Sequence, residues 1–94
     1  MDVSSTAAVV RSLLRDAGYM DWEPGRRGFL VEADPEGGWV SVTCHPGLPW
    51  ARSRRDRDAR RYREIISAAG FTVTDSPWMR GVLRVTPSAE DREL

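Results

Sequence analysis

The apolar positions of this chain change period along its length, and the changes mark its elements. Between Thr6 and Ala17, residues Val10, Leu13, Leu14 and Ala17 follow the i, i+3, i+4, i+7 spacing of one helical face. Ser4 or Ser5 offers a capping hydroxyl at the start, and Gly18 offers a left-handed stop at the end. The period then drops to two. Phe29, Val31 and Ala33 share one face of a strand, and Val40, Val42 and Cys44 share one face of the next, with Asp34-Pro35-Glu36-Gly37-Gly38 as a hairpin loop between them. A weaker strand signal covers Tyr19 to Glu23.

After the proline-rich loop His45-Pro46-Gly47-Leu48-Pro49, the helical period returns in Ala59, Tyr62, Ile65, Ile66 and Ala69. Ser53 with Asp56 resembles a capping box, and Gly70 ends the segment. Phe71–Thr74 and Arg80–Thr86 read as a last hairpin around Ser76-Pro77. The order α-β-β-β-α-β-β predicts an α+β fold, one antiparallel sheet with two helices packed on one face. A single domain over residues 1–87 and a polar, disordered tail over 88–94 complete the expectation.

The chain also echoes itself. LLRDAGY at 13–19 matches IISAAGF at 65–71, and PGRRGFL at 24–30 matches PWMRGVL at 77–83. Both copies read helix, Ala-Gly-aromatic, strand, Pro-x-x-Arg-Gly turn, strand, which suggests an internal α-β-β pseudo-repeat. In this arrangement Phe29, Val31, Val40, Val42, Phe71, Val73, Leu83 and Val85 face inward. Leu30, Trp39, Ser41, Thr43, His45, Thr72, Thr74, Val82 and Arg84 face outward, where a tryptophan, hydroxyls and an arginine can meet an RNA strand or a peptide.

Charge alters this picture more than composition does. The chain carries 14 basic and 14 acidic side chains, and every basic one is arginine. Absence of lysine excludes a Schiff base and a Walker-type phosphate loop. Residues 52–63, RSRRDRDARRYR, hold seven arginines and two aspartates, a local charge of +5, so the remainder carries −5. On a helix Arg54, Arg57 and Arg61 lie near one line, with Arg60 and Arg63 flanking it, a candidate footprint for phosphates or an acidic protein surface. Against that stands pairing at i, i+4: Arg54 with Asp58, Asp56 with Arg60, and Arg60 with Glu64. Cations near a helix N-terminus also oppose its dipole.

Catalytic chemistry has few candidates. One cysteine excludes an internal disulfide, and with a single histidine it is too few for an ordinary zinc site. Cys44 falls on the inward face as a small core residue. His45, at a strand end, is the one candidate general base. Trp50, beside the arginine run, is a candidate interface anchor, and Trp39 with Arg84 marks the outward sheet face. No cofactor or metal is implied. There is no run of about 18 apolar residues to span a membrane, and no basic start ahead of Val9-Val10 to suggest a signal peptide, so a cytoplasmic protein is expected.

From LLRDAGY through VSVTCHPG to REIISAAG, residues 13–70 resemble the order seen in HicA-type mRNA interferase toxins. The resemblance implies a double-stranded-RNA-binding-like α-β-β-β-α fold and RNA cleavage. It departs at the catalytic Gly-Ser-His motif of that family, since Gly28 is followed here by Phe29 and Leu30. His45 matches the family's later, non-catalytic histidine. The expected function is a small non-enzymatic binding or regulatory module that engages nucleic acid or an acidic protein surface through the arginine helix. A divergent RNA-cleaving enzyme using His45 and a self-associating adaptor, such as a homodimer, are the alternatives.

Overall fold

In the computed structural model, which describes residues 2–24, 26–45, 52–77, 79 and 81–86, the first apolar stripe forms helix α1, Val3–Asp16. Its cap is Asp2, whose carboxylate accepts a hydrogen bond from the Ser5 amide at 2.7 Å. Ser4 and Ser5, the expected caps, lie within the first turn. An ionised acceptor satisfies the same orphan amide while also complementing the helix dipole, and the Ser5 amide correspondingly holds the Asp2 carboxyl below its ordinary value. Ala7, Val10 and Leu14 are buried, whereas Ala17 is the exposed C-cap.

Two strands follow, β1 (Gly28–Asp34) and β2 (Trp39–His45), then helix α2 (Arg52–Ala68) and the hairpin β3 (Thr72–Asp75) and β4 (Val82–Thr86). The element order is therefore α-β-β-α-β-β. The four strands make one sheet in the order β1-β2-β4-β3, with every neighbouring pair antiparallel. Register places inward residues opposite one another: Phe29 with Cys44, Val31 with Val42, Val42 with Leu83, and Val40 with Val85. Cross-strand apolar pairs of this kind stabilise the sheet and fix its register. Val10 and Leu14 of α1, and Tyr62 and Ile66 of α2, join these strand residues in one cluster, so both helices cover the same face. Phe71 and Val73, expected inside, are only partly buried at the β3 edge.

The expected third strand, Tyr19–Glu23, is not a strand. It contributes a single parallel bridge between Asp21 and Phe29, in which the Trp22 amide donates to Phe29 O (2.8 Å) and the Phe29 amide donates to Met20 O (2.9 Å). Pro24 and the adjoining turn prevent this segment from extending its pairing along β1. It still has a use, because it shields the outer edge of β1. Arg11 adds to that shield by donating from Nη2 to Val31 O at 2.9 Å, and covering an edge in this way blocks unwanted strand addition.

The internal repeat survives at its helix ends. Gly18 and Gly70 both take positive φ, +96° and +97°, after helices that end at Asp16 and Ala68. The match at Gly28 and Gly81 aligns β1 with β4, so the bridged segment near Asp21 stands where the second copy has the full strand β3. The tail beyond Thr86, including residues 88–94, lies outside the described residues.

Gly28 shows why glycine occupies the start of β1. A Cβ there would come within 2.7 Å of the Trp22 backbone nitrogen and Cα. Backbone atoms held by the bridge to Phe29 cannot give way cheaply. Gly28→Ala is expected to cost about 1–3 kcal/mol in urea unfolding, the usual range for forced overpacking. An unchanged midpoint would show that the segment at 20–22 is not held against β1.

Candidate nucleic-acid interface

Helix α2 starts at Arg52, before the expected cap Ser53, which lies exposed inside the first turn. No acidic residue occupies that turn and no basic residue occupies the last one. This charge order is unfavourable to the helix, whereas α1 has Asp2 at its start and Arg15 in its last turn. Each misplaced exposed cation costs about 0.3–1 kcal/mol, so α2 is held by the face it buries. Tyr62 anchors that face, fully buried and set edge-on to Tyr19 with ring centroids 4.8 Å apart.

The helix acids do not pair as the i, i+4 spacing predicted. Asp58 turns inward, only 2% exposed, and receives two hydrogen bonds from Arg27, Nε to Oδ2 at 2.7 Å and Nη2 to Oδ1 at 2.6 Å. Asp56 meets its neighbour Arg55 at 3.4 Å, and Glu64 meets Arg61 at 3.0 Å. Arg63, half-buried, is turned to β3 and paired with Asp75. Arg54, Arg57 and Arg60 are exposed and have no ion pair or side-chain hydrogen bond among the described residues. Sequence spacing missed Arg27 because its partner lies 31 residues away. The only local hint was an aspartate at a position that helical geometry turns toward Tyr62.

The five candidate arginines of α2, out of its seven, therefore divide. Arg54, Arg57 and Arg61 share one flank, spanning about 10 Å at 1.5 Å rise per residue. Arg60 and Arg63 lie on the other flank and, with Asp56 and Ala59, line a cleft against Ser76, Met79, Gly81, Val82 and Leu83. Trp39 and Arg84 do meet on the outward sheet face, with the guanidinium 4.3 Å from the ring centroid. The Trp39 ring also packs so closely on Gly37 that a Cβ there would fall 2.6 Å from it. Trp39 thus packs against both Gly37 and Arg84 and is half-buried. Trp50 lies outside the described residues.

His45 stacks on Trp22, with ring centroids 4.4 Å apart and planes inclined by 25°. No carboxylate hydrogen-bonds it among the described residues. Nor do those residues bring three or more His, Cys, Asp or Glu side chains together to hold a metal ion.

Cys44 is buried, and its thiol donates to Arg55 O at 3.5 Å. Burial, reinforced by the nearby Asp58 charge, pushes the thiol up to about 11, although the Tyr62 hydroxyl bonded to it acts in the opposite direction. Burial likewise drives the Tyr62 phenol well above its ordinary value. Both groups are neutral at physiological pH, which suits a core and not a nucleophile. A thiol at about 11 instead of 9.0 has about 100-fold less thiolate at pH 8. Iodoacetamide is therefore expected to alkylate native Cys44 at least about 100-fold more slowly than the urea-unfolded chain. Equal rates would place Cys44 at the surface.

Searched against family models, curated proteins and solved structures, the chain matches none of them.

Proposed function

We propose that the chain is a non-catalytic nucleic-acid-binding module that lays the exposed arginine row of α2 against a phosphate backbone. The observation that carries this reading is the redirection of Asp58. With that carboxylate tied to Arg27 inside the fold, Arg54 and Arg57 have no compensating acid, and Arg61 shares only an exposed i, i+3 contact with Glu64. Exposed pairs of the latter kind contribute little and yield readily to a stronger anion.

The composition of the exposed helix surface favours phosphate over protein. Arg54, Arg57, Arg60 and Arg61 are accompanied there by Ser53, Asp56, Glu64, Ser67 and Ala68, with no exposed aromatic or large aliphatic side chain. Protein interfaces generally need an apolar core inside the polar rim. Phosphate contacts need only guanidinium donors and charge. The chain's zero net charge implies modest, salt-sensitive affinity, because the acidic remainder opposes approach of a polyanion.

Fluorescence anisotropy with duplex DNA and single-stranded RNA tests this directly. Arg54→Glu with Arg57→Glu is expected to weaken binding at least about tenfold at low salt and to lower the salt slope by about 2, one unit for each lost phosphate contact. Acids near the start of α2 favour its dipole, so the variant is expected to melt no lower than the parent. Undiminished affinity in the variant, or no binding by the parent at low salt, overturns the reading and points to an acidic protein partner.

A further inference from the structure

The cleft on the other flank of α2 has a charge account of its own. It is open to solvent and has a volume of about 550 Å³, within the range of small-molecule sites. Four of its lining residues carry charge: Asp56, Arg60, Arg63 and Asp75. Asp75 is neutralised by Arg63, and Asp56 is shared with Arg55. That leaves Arg60 as the one unpaired charge among the described lining residues. Beneath it, Ala59, Val82 and Leu83 supply apolar wall, and Met79 lies 62% exposed beside them. An exposed methionine next to an apolar wall retains surface that a ligand would remove from water.

We infer that this cleft binds a small amphipathic monoanion, with a carboxylate or comparable headgroup on Arg60 and an apolar body against Val82, Leu83 and Met79. One unpaired guanidinium matches one negative charge. A dianion would have to compete with Asp75 for Arg63. A neutral apolar molecule would leave Arg60 without its charge-assisted contact, which is the stronger part of the recognition. The site stands apart from the Arg54–Arg57–Arg61 row and does not rest on nucleic-acid binding.

Phenylbutyrate and its uncharged counterpart phenylbutyramide are suitable probes, added to the full chain and followed by amide chemical shifts. Phenylbutyrate is expected to produce saturable shifts at Ala59, Val82, Leu83 and Gly81 below about 10 mM, a level that one charged contact and a small apolar body can reach. Phenylbutyramide is expected to bind at least about fivefold more weakly, as is phenylbutyrate to Arg60→Gln, whereas Arg60→Lys restores part of the affinity. Arg54→Glu with Arg57→Glu should leave these shifts unchanged, which separates this site from the phosphate-binding row. The inference is overturned by equal binding of the amide, by shifts that do not saturate, or by saturable shifts that map away from the cleft. The comparison of acid with amide uses the unaltered protein, so it decides the matter even if Arg60→Gln does not fold.

Discussion

The bidentate contact between Arg27 and Asp58 is the constraint on which the rest of this structure turns. Arg27 immediately precedes β1, and Asp58 lies one turn before Tyr62 on α2, so the pair ties the second helix to the start of the sheet. The Asp58 side chain is 3% exposed while that of Arg27 remains 44% exposed. Most of the desolvation cost therefore falls on Asp58, which recovers it through two short charge-assisted bonds. Removing the arginine would leave a buried carboxylate without its partner, whereas removing the aspartate lets the arginine return to water. The same contact brings negative charge near Cys44 and Tyr62, adding to the burial that keeps both of them protonated.

The consequence for function is an imbalance on the surface of α2. A helix with seven arginines and two aspartates between residues 52 and 63 gives up one of those aspartates to the interior. The remaining charges then sort onto two flanks with different neighbours. One flank is polar and open, and suits a repeating anion. The other overlooks an apolar wall built by β4 and the residues before it, and suits a single anion with an apolar body. Both readings require arginines that make no ion pair of their own among the described residues, and the charge order at the start of α2 is itself unfavourable to the helix.

Much of the architecture was visible in the pattern of residues, and what was hidden had a common cause. Two-residue alternation identified Phe29, Val31, Val40, Val42 and Cys44 as inward-facing, because register and pleat act over a few residues. Gly18 and Gly70 marked the ends of both helices for an equally local reason, the left-handed turn they permit. The Tyr19–Glu23 segment misled because its strand-like composition does not show that Pro24 and the adjoining turn stop its pairing with β1 after a single bridge. On α2, helical spacing offered Asp58 to Arg54, while the folded chain offered it Arg27, and the buried contact prevailed. Trp39 kept its expected face, where it packs against Gly37 and Arg84. Local periodicity thus located the elements; contacts distant in sequence determined which of their side chains remained available.

A double-mutant cycle on Arg27→Ala and Asp58→Asn, read by urea unfolding, tests the account at its centre. The account predicts a coupling free energy of about 2 kcal/mol, with Arg27→Ala the more damaging single change because it strands the buried carboxylate. Additive effects, with coupling below about 0.5 kcal/mol, would contradict it. Asp58 would then be free to neutralise the arginines of its own helix, and the charged surface on which the functional reading depends would not exist in the form described.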